Sequence, residues 1–399
     1  MMFQIITGAT GSVGAHVLHA LLQDDSVSTV FCLTRQKSPM KAIFDSLKER
    51  RLFLTRVQAS RIQALCSTMD QPDLGLSKET IEHIRECATE IIHAAWPVNF
   101  NLPLVQFVSH IRGVHNLVQL SLSVRQPKPA VMLFCSSIST ALASPSTFIA
   151  DQPLNLRDAY MGYGRSKLIG EHIVSNARRS GARCYSLRIG QVSGHSRMGL
   201  WNDSEAIPLM VRSALTLKAL PDLDHTCSWL PVDKLASIIV EISQTCSSKT
   251  EYVVTEQRDP IPYKGEHWAH GADSGGSAVT DDSIYNICNP RDFSWSAFLN
   301  SLKRNGFQFN TVPFEDWMKM LRQSEACGEE HINPAVKLID HYEEMYGNSS
   351  ILRSKHFHTT KAEKDSVTMR KGQLLTLENG ILNNYARDWL NRWMAPESK

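Results

Sequence analysis

Eight residues, Thr7-Gly8-Ala9-Thr10-Gly11-Ser12-Val13-Gly14, constrain the fold of this 399-residue chain more than any other stretch. They join the apolar run Phe3-Gln4-Ile5-Ile6 to the amphipathic segment Gly14–Gln23. A strand that enters a helix through a glycine turn leaves the first helical N–H groups free, and the positive end of the helix dipole draws a phosphate there. Gly8, Gly11 and Gly14 allow the tight turn, the approach of a pyrophosphate and close helix packing. Thr10, Ser12 and Val13 complete the expected contacts. The turn predicts a bound dinucleotide.

Further short, β-rich apolar runs follow at Thr29–Thr34, Ile91–Ala95, Val131–Ser136, Cys184–Ile189 and Tyr252–Thr255, separated by amphipathic segments such as Leu104–Leu122 and Ser166–Arg179. Continuous apolar strands alternating with helices indicate a parallel sheet covered on both faces. The predicted class is α/β, a Rossmann-type doubly wound parallel sheet in residues 1–255, with 197–228 contributing to a substrate pocket. From Gln257 to Ser283, Gly, Asp and Ser predict an exposed loop. Ser294–Asn305, Phe314–Ser324, Pro334–Tyr346 and Leu377–Trp393 then predict a smaller, mainly helical domain within 256–399.

The second strand ends Cys32-Leu33-Thr34-Arg35. An acid at that place would bind the ribose of NAD, whereas a cation suits the 2′-phosphate of NADP; Arg35, helped by Lys41, argues for NADPH. Tyr163 and Lys167 stand four residues apart in Tyr163-Gly164-Arg165-Ser166-Lys167 and share one face of a helix. An ammonium beside a phenol favours the phenolate and lowers its pKa towards the range of an acid–base catalyst, and Lys167 can also hold the nicotinamide ribose. Ser136-Ser137 closes the fourth apolar run. The C-terminal ends of parallel strands converge on one crevice, so Ser137 can reach a carbonyl beside Tyr163. A Tyr-x-x-x-Lys pair alone is common; glycine turn, serine and tyrosine–lysine pair in this order carry the argument. Ser137, Tyr163 and Lys167 are the expected catalytic set.

Other chemistries fit less well. Lys and Arg total 42 against 40 Asp and Glu, a net charge of +2, which offers no electrostatic case for nucleic acid or an anionic membrane. Apolar runs such as Ala130–Cys135 stop far short of the roughly 20 residues of a membrane span. Nine scattered cysteines without a Cys-x-x-Cys pair read as reduced thiols and point to the cytoplasm. His267, His270, His356 and His358 lack a cysteine or carboxylate cluster at ligand spacing, so no metal is expected. Ser137 lacks the Gly-x-Ser-x-Gly elbow of a hydrolase.

The spacing Gly8, Gly11, Gly14 is that of short-chain dehydrogenases, and the chain resembles their extended, thioester-reductase branch almost throughout. That branch holds the terminal reductase domains of nonribosomal peptide synthetases, carboxylic acid reductases and aminoadipate reductase. The resemblance runs through T-G-A-T-G-S-V-G at 7–14, C-L-T-R at 32–35, P-D-L-G-L-S at 72–77 and I-I-H-A-A-W-P-V-N-F at 91–100. It continues with S-S-I at 136–138, G-Y-G-R-S-K-L at 162–168 and L-R-I-G-Q-V-S-G at 187–194. G-L-W at 199–201, I-P-L-M-V at 207–211, S-W-L-P-V-D at 228–233 and N-P-A-V-K-L at 333–338 look most like reductases of fungal synthetase-like enzymes.

The resemblance implies NADPH and an acyl or peptidyl group held as a thioester on the phosphopantetheine arm of a carrier protein. Ser137 and Tyr163 would bind the thioester carbonyl, Tyr163 would protonate the alkoxide with support from Lys167, and an aldehyde would leave. Ala94 would join the cofactor contacts, Ile189 would lie in the segment passing the nicotinamide, and the C-terminal part would shape the acyl pocket and dock the carrier. Trp229, Pro231, Val232 and Asp233 read as a packing corner. Three positions depart from the family pattern: Thr68 replaces an adenine-side Asp, Asp45 a second Arg, and His110 an Asn. Relatives that cyclise lack an intact catalytic set, which disfavours cyclisation. With no adenylation or carrier sequence present, the expectation is a freestanding protein serving a carrier in trans, or an excised domain. The competing readings are an extended reductase of free ketones, aldehydes or hydroxyl compounds, and a non-catalytic NADPH-binding sensor.

Overall fold

A computed structural model describes residues 2–249, 282–347, 355–370, 374 and 380–394. The expected strand Tyr252–Thr255, most of the Gln257–Ser283 loop, His267 and His270 lie outside the described residues. Among the described residues seven strands form one parallel sheet: β1 (Met2–Thr7), β2 (Val27–Thr34), β3 (Ile62–Cys66), β4 (Glu90–His93), β5 (Val131–Ser137), β6 (Cys184–Ile189) and β7 (Ile284–Ile287). Their order is 3-2-1-4-5-6-7, so the winding reverses between β1 and β4, where Thr7 pairs with His93. A ligand crevice opens at such a reversal, outside the carboxyl ends of the strands.

Two strands escape the pattern reading for physical reasons. At the edge of the sheet β3 is only half covered, and Gln63 and Cys66 are exposed, so it lacks the continuous apolar run of a central strand. At the other edge β7 is four residues long but fully buried, and it pairs with β6 in register Ile284↔Ser186 to Ile287↔Ile189. The sheet therefore does not end before residue 255, the boundary suggested by the sequence; its last strand follows the polar stretch.

Helices cover both faces. α1 (Ser12–Leu22), α2 (Pro39–Glu49) and the helix Val232–Ser248 share one core with β1 and β2, through Val17, Leu21, Ile43, Leu235 and Ile239. Lys78–Cys87, Val108–Ser123 and Gly162–Arg179 line the opposite core, through Ile81, Leu117 and Val174. A second core is built apart from the sheet, by Trp201 and Trp229 with Trp295, Trp317, Tyr385 and Trp389. Residues 201–229 thus fold with the C-terminal helices Trp295–Arg304, Phe314–Ala326, Ile339–Tyr346 and Ile381–Trp393. The packing corner is explicit: Asp233 accepts hydrogen bonds from the Ser196 N–H at 2.7 Å and the Ser196 hydroxyl at 2.6 Å, while Trp229 is buried. No helix among the described residues is long and apolar enough to cross a membrane, no three described residues group as metal ligands, and the nine cysteines are unpaired.

Candidate active site

The glycine turn sits at the winding reversal. Gly8 has φ +80°, and a Cβ there would lie 2.7 Å from the Ala95 nitrogen and 2.8 Å from the Ala94 carbonyl carbon. A side chain at Gly14 would collide with the Gly8 carbonyl, so the first turn of α1 is pressed against the loop it leaves. Gly11 caps α1 without a side-chain hydrogen bond, and the first turn holds no acid. Nothing at this helix end competes for an anion, which fits the pyrophosphate of a dinucleotide. Ser12 and Val13 open the helix, and the Thr10 carbonyl accepts a hydrogen bond from the Ser46 hydroxyl at 3.0 Å, tying the loop to α2. Ala94 follows β4 directly and donates its N–H to the Thr7 carbonyl at 3.3 Å.

Ser137, Tyr163 and Lys167 converge at the C-terminal end of β5. Ser137 is its last residue and pairs with Ile189 at the end of β6. Tyr163 lies in the first turn of Gly162–Arg179, 7% exposed, with the Ser137 side chain acting on its phenol. Lys167 is buried one turn on; its Nζ donates to the Cys135 carbonyl at 2.5 Å and lies 4.3 Å from the centre of the Trp96 ring and 4.9 Å from that of Phe134.

The electrostatics differ from the expectation. Burial pushes the Tyr163 phenol up to about 12, with the Ser137 side chain opposing. Burial pushes Lys167 down to about 7. Lys167 does not lower the tyrosine pKa here, because its Nζ is aimed at a strand carbonyl and stands 5.9 Å from the phenol ring centre. Tyr163 is therefore a neutral O–H at neutral pH.

Sequence reasoning missed the support beneath this set. Glu171, one turn beyond Lys167, accepts hydrogen bonds from Ser136 at 2.6 Å and from Arg188 at 2.7–3.1 Å, all inside the protein. It also missed an aromatic and imidazole layer beside Lys167. His93 shares a 2.7 Å hydrogen bond with Thr7 and stacks on Phe134, and burial pushes it down to about 3. His110, one of the departures from the family pattern, packs on Trp96 at 5.5 Å, its pKa lowered chiefly by burial. The His93 Nε2 and Trp96 Nε1 atoms are buried without partners among the described residues. The signal available was the cluster His93, Trp96 and His110 itself, three rings near one strand end.

Arg35 is exposed at the end of β2, on a shallow depression lined also by Lys37, Ser38, Lys41 and Asp45. Lys41 is not a free helper: its Nζ pairs with Asp45 at 2.5 Å, one turn along α2. Thr68 uses its backbone N–H on the Leu74 carbonyl at 2.9 Å.

Residues 6–239 match the NAD-binding family described as "Male sterility protein". The chain is 31% identical over 359 residues to the "Adenylate-forming reductase Nps10" of Heterobasidion annosum, covering 86% of this chain but 29% of that protein, so it spans under a third of that relative's length. Among solved structures it is similar to the "terminal R domain from the myxalamid PKS-NRPS biosynthetic pathway", with TM-score 0.79, 21% identity, and 100% of this chain and 93% of the other covered. It is also similar to a "thiolation-reductase di-domain from an archaeal non-ribosomal peptide synthetase", with TM-score 0.68, 16% identity, and 98% and 76% coverage. A Rossmann-type sheet, an uncapped helix after a glycine turn and this match over more than half the chain identify it as an oxidoreductase of the "Male sterility protein" family, the nicotinamide-cofactor-binding thioester-reductase branch of the extended short-chain dehydrogenases.

Proposed function

We propose that the chain is an NADPH-dependent reductase that converts an acyl or peptidyl thioester on a carrier's phosphopantetheine arm to an aldehyde. The observation that carries this reading is the buried, neutral phenol of Tyr163 beside Ser137 at the carboxyl end of the sheet. Two hydroxyls so placed can donate to one carbonyl oxygen, and they stabilise charge that appears only as the carbonyl is reduced. The bound nicotinamide supplies a hydride. Tyr163 gives its proton to the resulting alkoxide, and the thiohemiacetal then breaks its C–S bond, leaving aldehyde and the carrier thiol. Lys167 would hold the nicotinamide ribose, its Nζ being turned to the Cys135 carbonyl rather than to the phenol. Gly8, Thr10, Gly11, Ser12, Val13 and Gly14 would hold the pyrophosphate, Arg35 the 2′-phosphate, and Ala94 and Ile189 the two sides of the nicotinamide end.

The relatives that match are several times longer than this chain, and one similar structure joins a thiolation domain to its reductase. We therefore place the carrier on the same polypeptide as the reductase, in place of the carrier in trans that the sequence suggested. The test is NADPH oxidation with acyl-pantetheine or an acyl-loaded carrier, beside a panel of free carbonyls, with aldehyde counted against cofactor consumed. Equal amounts of the two from the thioester are expected. Turnover confined to free carbonyls would overturn the thioester assignment and favour the free-carbonyl reductase.

A further inference from the structure

The second core touches the Tyr163 site through a pair of rings. His341, on the helix Ile339–Tyr346, lies flat on Phe100, with ring centres 5.5 Å apart and planes 9° from parallel. Phe100 meets the Tyr163 ring at 84°, centres 5.1 Å apart. Three residues beyond His341, Glu344 accepts a 2.9 Å hydrogen bond from the hydroxyl of Tyr160, three residues before Tyr163. Two contacts from one helix thus hold the approach to the proton donor. Phe107 meets Tyr163 on another side, at 67°.

This approach is apolar. Phe100 is 37% exposed, so part of its ring is open beside the phenol. Burial lowers the His341 pKa, with Glu344 opposing, so the stacked imidazole is neutral at neutral pH. Lys167 is directed at the Cys135 carbonyl. Carbons attached to a carbonyl at Tyr163 would leave water against Phe100, which favours apolar surface. A carboxylate on those carbons would be desolvated there with no opposite charge from these rings.

We propose that Phe100 is a specificity-determining residue that receives the first carbons of an apolar or aromatic acyl group, and that His341 is a positioning residue that holds the Phe100 ring. The inference rests on the thioester-reductase reading above. The experiment compares benzoyl- and succinyl-pantetheine as substrates for the wild type, Phe100→Ala, Phe100→Leu, His341→Ala and His341→Phe, with NADPH binding followed by fluorescence. The wild type should prefer benzoyl by more than about tenfold in kcat/KM, a usual range for one well-filled apolar pocket. Phe100→Ala should lose most of that preference, mainly through KM, with NADPH affinity unchanged; Phe100→Leu should keep part of it and guards against a folding defect at alanine. His341→Ala should weaken the preference and His341→Phe restore it, since stacking needs a flat ring and not a charge. A wild type without preference, Phe100 variants that keep the full ratio, or a His341→Phe no better than alanine would overturn the inference alone. A wild type inert to every thioester would overturn the reductase reading beneath it.

Discussion

Glu171 and Arg188 form a forked ion pair inside the protein, Nη2 to Oε2 at 2.7 Å, with side chains 2% and 0% exposed. Its position explains its presence. Glu171 shares a helix with Tyr163 and Lys167, and also accepts from Ser136, the neighbour of Ser137; Arg188 precedes Ile189 on β6. One charge pair therefore fixes the helix carrying Tyr163 against the two strand ends that complete the site. Removing one partner strands a buried charge, which costs about 3–5 kcal/mol. Glu171→Leu and Arg188→Met should each lower unfolding stability by that order, while the double variant should lose less than the two losses added. Denaturant unfolding of all four proteins checks this; single losses under about 1 kcal/mol would show that the pair is not what holds the helix.

Lys167 should leave a mark on stability against pH. Its ordinary pKa is 10.5, and burial lowers it to about 7 in the folded chain. Between these values the unfolded chain keeps a proton that the folded chain has released, so stability rises with pH through the window; below about 7 both states are protonated and the burial cost is felt in full. Lys361, lowered to about 8, adds a rise of the same sign that begins later. Tyr163 opposes only above pH 10, where the unfolded phenol ionises first. Thermal melts from pH 7 to 8 should climb more steeply in the wild type than in Lys167→Met, where only the smaller Lys361 contribution remains; parallel slopes would mean that Lys167 titrates normally.

The parts of the site legible in the sequence are those written locally. The glycine turn needs neighbours a few residues apart, Tyr163 and Lys167 one helical turn, and Ser137 a strand end, and each lies in the element expected. What pattern did not give is what depends on contacts made in space. Edge strands β3 and β7 carry little periodic signal because one is half exposed and the other is short. The sign of the Tyr163 shift depends on where the Lys167 ammonium points, and a strand carbonyl takes it. Phe100 and His341 meet only because a C-terminal helix folds back over the sheet's crevice.

Asp45 should limit the grip on the 2′-phosphate. It engages Lys41 at 2.5 Å, beside Arg35, so one of the cations lining this rim is already paired. Asp45→Asn frees that ammonium and removes a negative charge from the phosphate's surroundings. NADPH should bind several-fold more tightly to Asp45→Asn at low salt, with NADH little changed, and the gain should shrink as salt screens it. Arg35→Glu should do the reverse, weakening NADPH far more than NADH. Titration of both cofactors against both variants decides it: equal changes for the two would remove the 2′-phosphate from this rim.

Tyr163→Phe isolates the proton donor. The substitution removes one oxygen from a ring that is 7% exposed and packed against Phe100 and Phe107, so the apolar contacts survive. A general acid contributes about 10²–10⁴-fold. Single-turnover NADPH oxidation should therefore slow by that order, while NADPH affinity stays within about twofold because the pyrophosphate turn and Arg35 are untouched. Ser137→Ala should cost less, since it removes a hydrogen-bond donor to the carbonyl and leaves the proton source. Burial holds the phenol at about 12, so the wild-type rate should show no loss from phenol ionisation below pH 10. If Tyr163→Phe reduces the substrate at the wild-type rate, the proton comes from elsewhere, and Ser137→Ala in the same background then shows whether the serine supplies it.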